Sequence, residues 1–242
     1  MAEGRFWKAV DGEGGSFGDP EVVWRVGRIV RDPLPAGRTI CERGLLHAAT
    51  TATEALTSHC SVTYPHRLFV VEPRGDLVRE TGHPHKVGCR AWKVVEERPM
   101  HEAYGPQGVE VVALIERCGR LTYDDAVALL AAWRAVRGAV RGAAWGSAGG
   151  SAGDAAWHAA RHAARDAARN AAWVAARHAA WDAARVAARN AAWVAARDAA
   201  GDAAGVAARV AARDAALALV VRDLITPEEF EVLYGPWRKV CG

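Results

Sequence analysis

The chain has 242 residues and a formal net charge of +3, enough for one good core and an appendage, without the basic excess that nucleic-acid binders concentrate on one face. Its five cysteines, Cys41, Cys60, Cys89, Cys118 and Cys241, are scattered and odd in number, which reads as reduced thiols rather than a disulfide framework. The opening MAEGRFWKAV has no signal-peptide apolar core, so a cytoplasmic protein is expected.

Residues 1–117 carry β-branched runs, turns and most of the prolines, and they predict a small α+β domain. Strands are expected over residues 6–10, 22–29, 45–48, 67–73, 87–96 and 109–116. The glycine-rich stretch at 12–18 lacks the lysine of a phosphate loop and reads as a hairpin turn. Residues 50–58 predict a helix, opened by Thr51 and Glu54 at capping-box spacing. Residues 44–72 therefore form a strand, helix, strand unit.

A connecting helix follows within 118–145. Thr122, Asp124 and Asp125 start it, and Leu129, Leu130, Trp133 and Val136 give it an apolar side. Residues 146–153, GSAGGSAG, have linker composition. Residues 154–217 then repeat one tetrad sixteen times: a variable residue, two alanines, then usually Arg or Trp. Alanine is the best helix former, so this is expected to be a long Ala-rich helical region.

The tetrad period overshoots the helical turn, so each repeat advances the alanine pair by about 40° and the stripe winds around the axis. A continuous helix would run roughly 95 Å, place Trp157 and Trp193 on one face and Trp173 almost opposite. No regular coiled coil follows such a stripe. Gly201 and Gly205 each cost about 1 kcal/mol against Ala, so a bend or hairpin is expected there. Arginine recurs too often for a membrane span. The segment NAAWVAAR at 170–177 recurs at 190–197, and the tetrad's variable residues are single-base neighbours, the signature of a copied DNA unit. Residues 218–242 predict a capping helix, started by Thr226, Pro227, Glu228 and Glu229, stopped by Gly235-Pro236, and docked by Phe230, Leu233, Tyr234 and Trp237.

Three stretches carry a resemblance. They are Cys41-Glu-Arg-Gly-Leu-Leu-His-Ala48, Leu68-Phe-Val-Val-Glu-Pro-Arg-Gly75, and His85-Lys-Val87 with Arg90 and Trp92-Lys-Val94. Together they resemble an uncharacterised domain of actinobacterial phages and bacteria. The closing RDLI, TPEEF and LYGPW segments are similar to Ala-rich phage proteins of that kind. The resemblance brings no activity with it, and Leu46 is an extra leucine against its pattern.

The order of Gly44–Ala48, a helix and Leu68–Gly75 also has a distant resemblance to the ADP-ribosyltransferase fold, which implies NAD as a ligand. Leu46 then occupies the place of that family's nicotinamide-stacking tyrosine, and Phe6-Trp7-Lys8 stands where a histidine-glycine pair belongs. No catalytic glutamate can be assigned, although Glu110 or Glu116 on the late strand could be tested.

Gly44 and His47 are the candidate ligand-binding residues, since a histidine on a glycine-led strand edge can meet a ligand. The plainer reading of His47 is a ring bonded to nearby backbone. His83, His85 and Cys89 hold metal-binding atom types without a fourth ligand at a familiar spacing, so no metal is expected. His158 and His162 lie four apart on one helical face, yet they occupy the drifting tetrad position. No catalytic set can be read from spacing. Trp157, Trp173, Trp181 and Trp193 are the expected interaction residues, because indoles should bury against something. These features point to a non-catalytic interaction protein without a cofactor, an accessory factor of the phage or mobile-element kind, with a protein partner or a second copy. Neither nucleic acid nor a membrane is expected as a partner. The rival is an NAD-using ADP-ribosyltransferase-like enzyme in the N-terminal domain.

Overall fold

The computed structural model describes residues 4–16, 19–34, 39–40, 42–56, 64–145, 150–174 and 178–242. It is mixed α/β and divides into two compact units. One comprises residues 1–108 with 176–183; the other comprises 109–175 with 184–242.

The first unit is built on a six-stranded antiparallel sheet. In chain order its strands are β1 (Phe6–Asp11), β4 (Ile29–Arg31), β5 (Leu46–Ala49), β6 (His66–Pro73), β7 (Lys86–Cys89) and β8 (Ala91–Arg98). A separate hairpin joins β2 (Gly15–Ser16) to β3 (Asp19–Val23). The spatial order is β4-β8-β6-β1-β5-β7. Arg90 alone separates β7, at one edge, from β8, next to the other edge. The sheet therefore curls until its ends meet at that residue, where the Asp32 amide donates to the Arg90 carbonyl (3.0 Å) and the Arg74 amide to the Ala91 carbonyl (2.8 Å).

Alternation along the strands sorts the two faces. The concave face gathers Phe6, Val10, Leu46, Ala48, Phe69, Val71, Val87, Cys89, Trp92 and Val94, closed by Trp24 and Val30. The opposite face turns Ala9, His66, Leu68 and Val70 inward, beside the 3-10 helices at Thr53–Leu56 and Met100–Tyr104.

Several expected elements differ. The expected strand at 22–29 is interrupted by a turn, in which the Arg28 amide donates to the Arg25 carbonyl and Gly27 takes a φ of 83°. The one expected at 87–96 is two strands hinged at Arg90. The helix expected at 50–58 is a single 3-10 turn, its Glu54 amide bonded to the Thr51 hydroxyl at 3.2 Å; residues 57–58 lie outside the described residues.

The strand expected at 109–116 is instead helix α1 (Gly108–Cys118). Its buried residues Val111, Leu114, Ile115 and Cys118 follow helical spacing, which overrides the β propensity of the valines. Gly108 opens it against backbone: a Cβ there would fall 1.8 Å from the His101 carbonyl oxygen.

The second unit packs α2 (Tyr123–Trp145), α3 (Gly150–Val174) and α5 (Pro227–Cys241) together with α1 and the later part of α4 (His178–Val220). Of the expected linker, residues 150–153 belong to α3, and 146–149 lie outside the described residues. Helix α4 is not straight. Arg209 lies over the Trp193 ring at 4.8 Å, although a straight helix would separate those residues by about 24 Å along its axis. The helix is therefore sharply bent between them, in the stretch that holds Gly201 and Gly205.

The array is thus not one straight rod, and the winding of the tetrad explains why. Ala164, Ala168 and Ala172 form a buried stripe on α3, and Ala184, Ala188 and Ala192 form another on early α4. Across each trio the drift is only about 80°, so the stripe still faces the interior. Over the last leg, Ala207, Ala208, Ala211, Ala212, Ala215 and Ala216 are all buried, and the wider stripe absorbs the drift. A straight array would have carried its alanines into solvent.

The stop expected at Gly235-Pro236 is absent. Both lie inside α5, because Leu233, Pro236 and Trp237 make one buried stripe that continues past the proline. The start of α5 is a full capping box between Thr226 and Glu229.

Candidate functional site

Gly44 precedes β5 with a φ of 86°, a left-handed conformation that favours glycine, and it turns the chain into the strand. Leu46 faces the concave side, and its carbonyl accepts from Trp92 Nε1 at 2.8 Å. His47 points to the opposite face. Its Nε2 bonds the carbonyl of Ile40, whose amide in turn donates to Glu80 Oε1 (2.6 Å). The imidazole is therefore engaged with backbone. Glu110 and Glu116 lie on helix α1, not on a late strand, and Glu110 is paired with Arg222 at 2.8 Å.

The concave face holds a polar group that the sequence reading passed over. Lys8 stands between Phe6 and Val10 on β1, opposite Phe69 on β6. Its ammonium lies 5.1 Å from the centre of the Trp24 ring, within cation–π range. Burial pushes the amine down to about 8, and the charge of Lys86 pushes the same way. Among the described residues Lys8 has no hydrogen bond or ion pair. Arg79 places its guanidinium 5.4 Å from the centre of the Phe6 ring and likewise has no carboxylate partner among the described residues. Arg67, on the same face, is neutralised by a bidentate pairing with Glu97 at 2.6 and 2.8 Å. The one legible signal was a lysine at an apolar position of a period-two strand; which face is concave is set by the tertiary fold.

On the other face, His66 is buried edge-on to Tyr104, ring centres 5.5 Å apart, and neither ring nitrogen makes a hydrogen bond of ordinary geometry. Burial pushes its pKa down to about 4, opposed only by the Met100 backbone. This ring stays neutral in the fold and is a core residue.

The helical unit holds a buried ion cluster that was also missed. Asp214 accepts from Arg161 Nε at 2.7 Å, from Arg165 Nη2 at 2.6 Å and from Arg213 Nε at 3.2 Å. Burial pushes the Asp214 carboxyl up against the pull of the guanidiniums. Sequence gave no sign of it, because Asp214 looks like every other first position of a tetrad.

Of the expected interaction residues, Trp181 is buried and its segment groups with the sheet, while Trp193 is half-buried under Arg209. The side chains of Trp157 and Trp173 lie outside the described residues, as do Cys41 and Cys60. Among the described residues no group of three or more His, Cys, Asp or Glu is placed to hold a metal, and no helix is long and apolar enough to cross a membrane. Comparison of the chain with protein-family models, curated proteins and solved structures returns no match.

Proposed function

We propose that this chain is a non-catalytic binding protein whose Ala-rich helical half works by packing, an accessory factor of the phage or mobile-element kind that acts in the cytoplasm. Its partner is a protein, and the first partner to test is a second copy. The supporting observation is how the array spends its surfaces. The alanine stripes are turned inward, while apolar side chains remain outside: Tyr123 and Val127, one turn apart on α2, and Val194 and Val206 on α4. Sedimentation velocity over a wide concentration range tests this. Reversible association is expected, weakened at least about tenfold by the charged pairs Tyr123→Lys with Val127→Lys or Val194→Lys with Val206→Lys, a change of about 1.4 kcal/mol.

The rival, an NAD-using transferase-like enzyme, draws on the glycine-led β5 followed by a helical turn and β6. A chain that stays monomeric at every concentration and releases nicotinamide from NAD would decide for that rival.

A further inference from the structure

The buried ion cluster of the helical unit holds more positive charge than its one carboxylate balances. Asp214 Oδ1 accepts from Arg165 Nη2 at 2.6 Å, from Arg165 Nε at 3.0 Å and from Arg213 Nε at 3.2 Å. Arg161 approaches the other oxygen, with Nε at 2.7 Å and Nη2 at 2.6 Å from Oδ2. Among the described residues, Arg165 and Arg213 have no other hydrogen bond and no other carboxylate. Even with Arg161 left aside, these two guanidiniums share one anion, so at least one positive charge is unmatched.

The leftover donors are definite ones. Arg165 turns its Nε–Nη2 edge to the carboxylate and reaches both oxygens, which leaves Nη1. Arg213 uses Nε alone, so its whole Nη1–Nη2 fork is unused. The two side chains meet at one oxygen atom, so their guanidinium groups are neighbours, although one comes from α3 and the other from α4. The place is half open: the Arg213 side chain is 27% exposed and that of Arg165 16%, against 4% for Asp214. A ligand can reach the unused nitrogens from solvent, and on such a low-dielectric rim its charge counts for more than in bulk water. The repulsion it would relieve is present already. Burial holds the Arg161 guanidinium below its ordinary range against the pull of Asp214, and the charge of Arg213 pushes the same way as burial.

We propose that this rim binds the terminal phosphate group of a small molecule, taken by the Arg213 fork with Arg165 beside it. A fork suits two oxygens of a phosphate, and the neighbouring guanidinium meets the third. A terminal phosphate carries about −1.5 to −2 charge near neutral pH and three such oxygens, more than a planar carboxylate or a phosphodiester offers. The partial enclosure between two helices suits a small group better than a flat protein surface. A monomeric chain would carry the same site.

Isothermal titration of the full chain with inorganic phosphate in low-chloride buffer tests the site, with dimethyl phosphate and acetate as comparisons. Saturable phosphate binding at a single site is expected, with dimethyl phosphate and acetate at least about tenfold weaker. Arg213→Gln and Arg165→Gln should each weaken phosphate binding at least about tenfold. Arg213→Lys keeps the charge and loses the fork, and should fall between wild type and Arg213→Gln. Arg161 and Arg165 still hold Asp214 when Arg213 changes, so that variant reports even if Arg165→Gln disturbs the fold. Lys239→Met, at an exposed position of α5, should leave binding unchanged. Absence of saturable phosphate binding overturns the proposal, as does equal affinity for dimethyl phosphate or acetate, or unchanged affinity in Arg213→Gln.

Discussion

Removing Asp214 should do more damage than any other single change in the helical half. Its side chain is 4% exposed, and those of Arg161 and Arg165 are 9% and 16% exposed. Asp214→Ala leaves both guanidiniums enclosed without their anion, which typically costs about 3–5 kcal/mol, roughly a fifth or more of an ordinary domain's stability. Register is affected as well. Alanine stripes built on a four-residue repeat can slide by one tetrad, about 6 Å, and meet alanines again. The buried carboxylate distinguishes one register from the next, as buried polar groups do in coiled coils. The triple change Arg161→Met, Arg165→Met, Asp214→Leu should therefore recover most of the stability in urea melts while losing register. Spin labels at the exposed His162 and Val206 would then give a second distance population. A loss below about 1 kcal/mol for Asp214→Ala, or a single distance population in the triple variant, would refute this reasoning.

Three further outcomes follow from individual groups. His66 is neutral in the fold down to about pH 4 and protonates near 6.5 when unfolded, so the unfolded chain binds the extra proton and stability falls as pH drops from 6.5 to 4. Urea melts should show the wild type losing roughly 2–3 kcal/mol more than His66→Phe between pH 7 and 4.5. Lys8, with its amine near 8, is about half neutral at pH 8 against about 0.3% for an ordinary lysine, so brief acylation followed by mass spectrometry should mark Lys8 before Lys93 or Lys239. Equal labelling of all three would contradict the assigned environment. Thr226→Ala removes the acceptor for the Glu229 amide (3.2 Å) and half of the capping box, and should cost about 1 kcal/mol. Thr226→Ser should cost much less.

The sequence-based reading succeeded where pattern and geometry coincide, and failed where packing chose between patterns. Strand alternation at residues 6–10 and 67–73 places β1 and β6 almost to the residue, because each has one face against an apolar layer. Residues 109–116 look like a strand from their valines, yet the buried positions recur with helical spacing. Gly235-Pro236 looks like a helix stop, yet the buried stripe of α5 runs through it. His47 was legible as a histidine on a glycine-led strand, but its orientation toward Ile40 depends on a loop forty residues from its Glu80 anchor. Lys8 and Asp214 share one difficulty. Their chemistry comes from partners brought in from elsewhere in the chain, and a lone Lys in a strand or an Asp in a repeat gives no hint of them.

The account stands or falls on the array bending sharply within α4 instead of projecting as a straight rod. Trp193 and Arg209 report this most directly, because they lie sixteen residues apart in one Ala-rich helix and yet stack at 4.8 Å. Cysteines at these two positions, in a chain whose other cysteines are changed to serine, should be joined within one molecule by a bismaleimide of about 8 Å reach. A straight helix would hold the same pair about 24 Å apart. Efficient intramolecular linkage is the expected result; its absence, with each cysteine reactive on its own, would contradict the folded array.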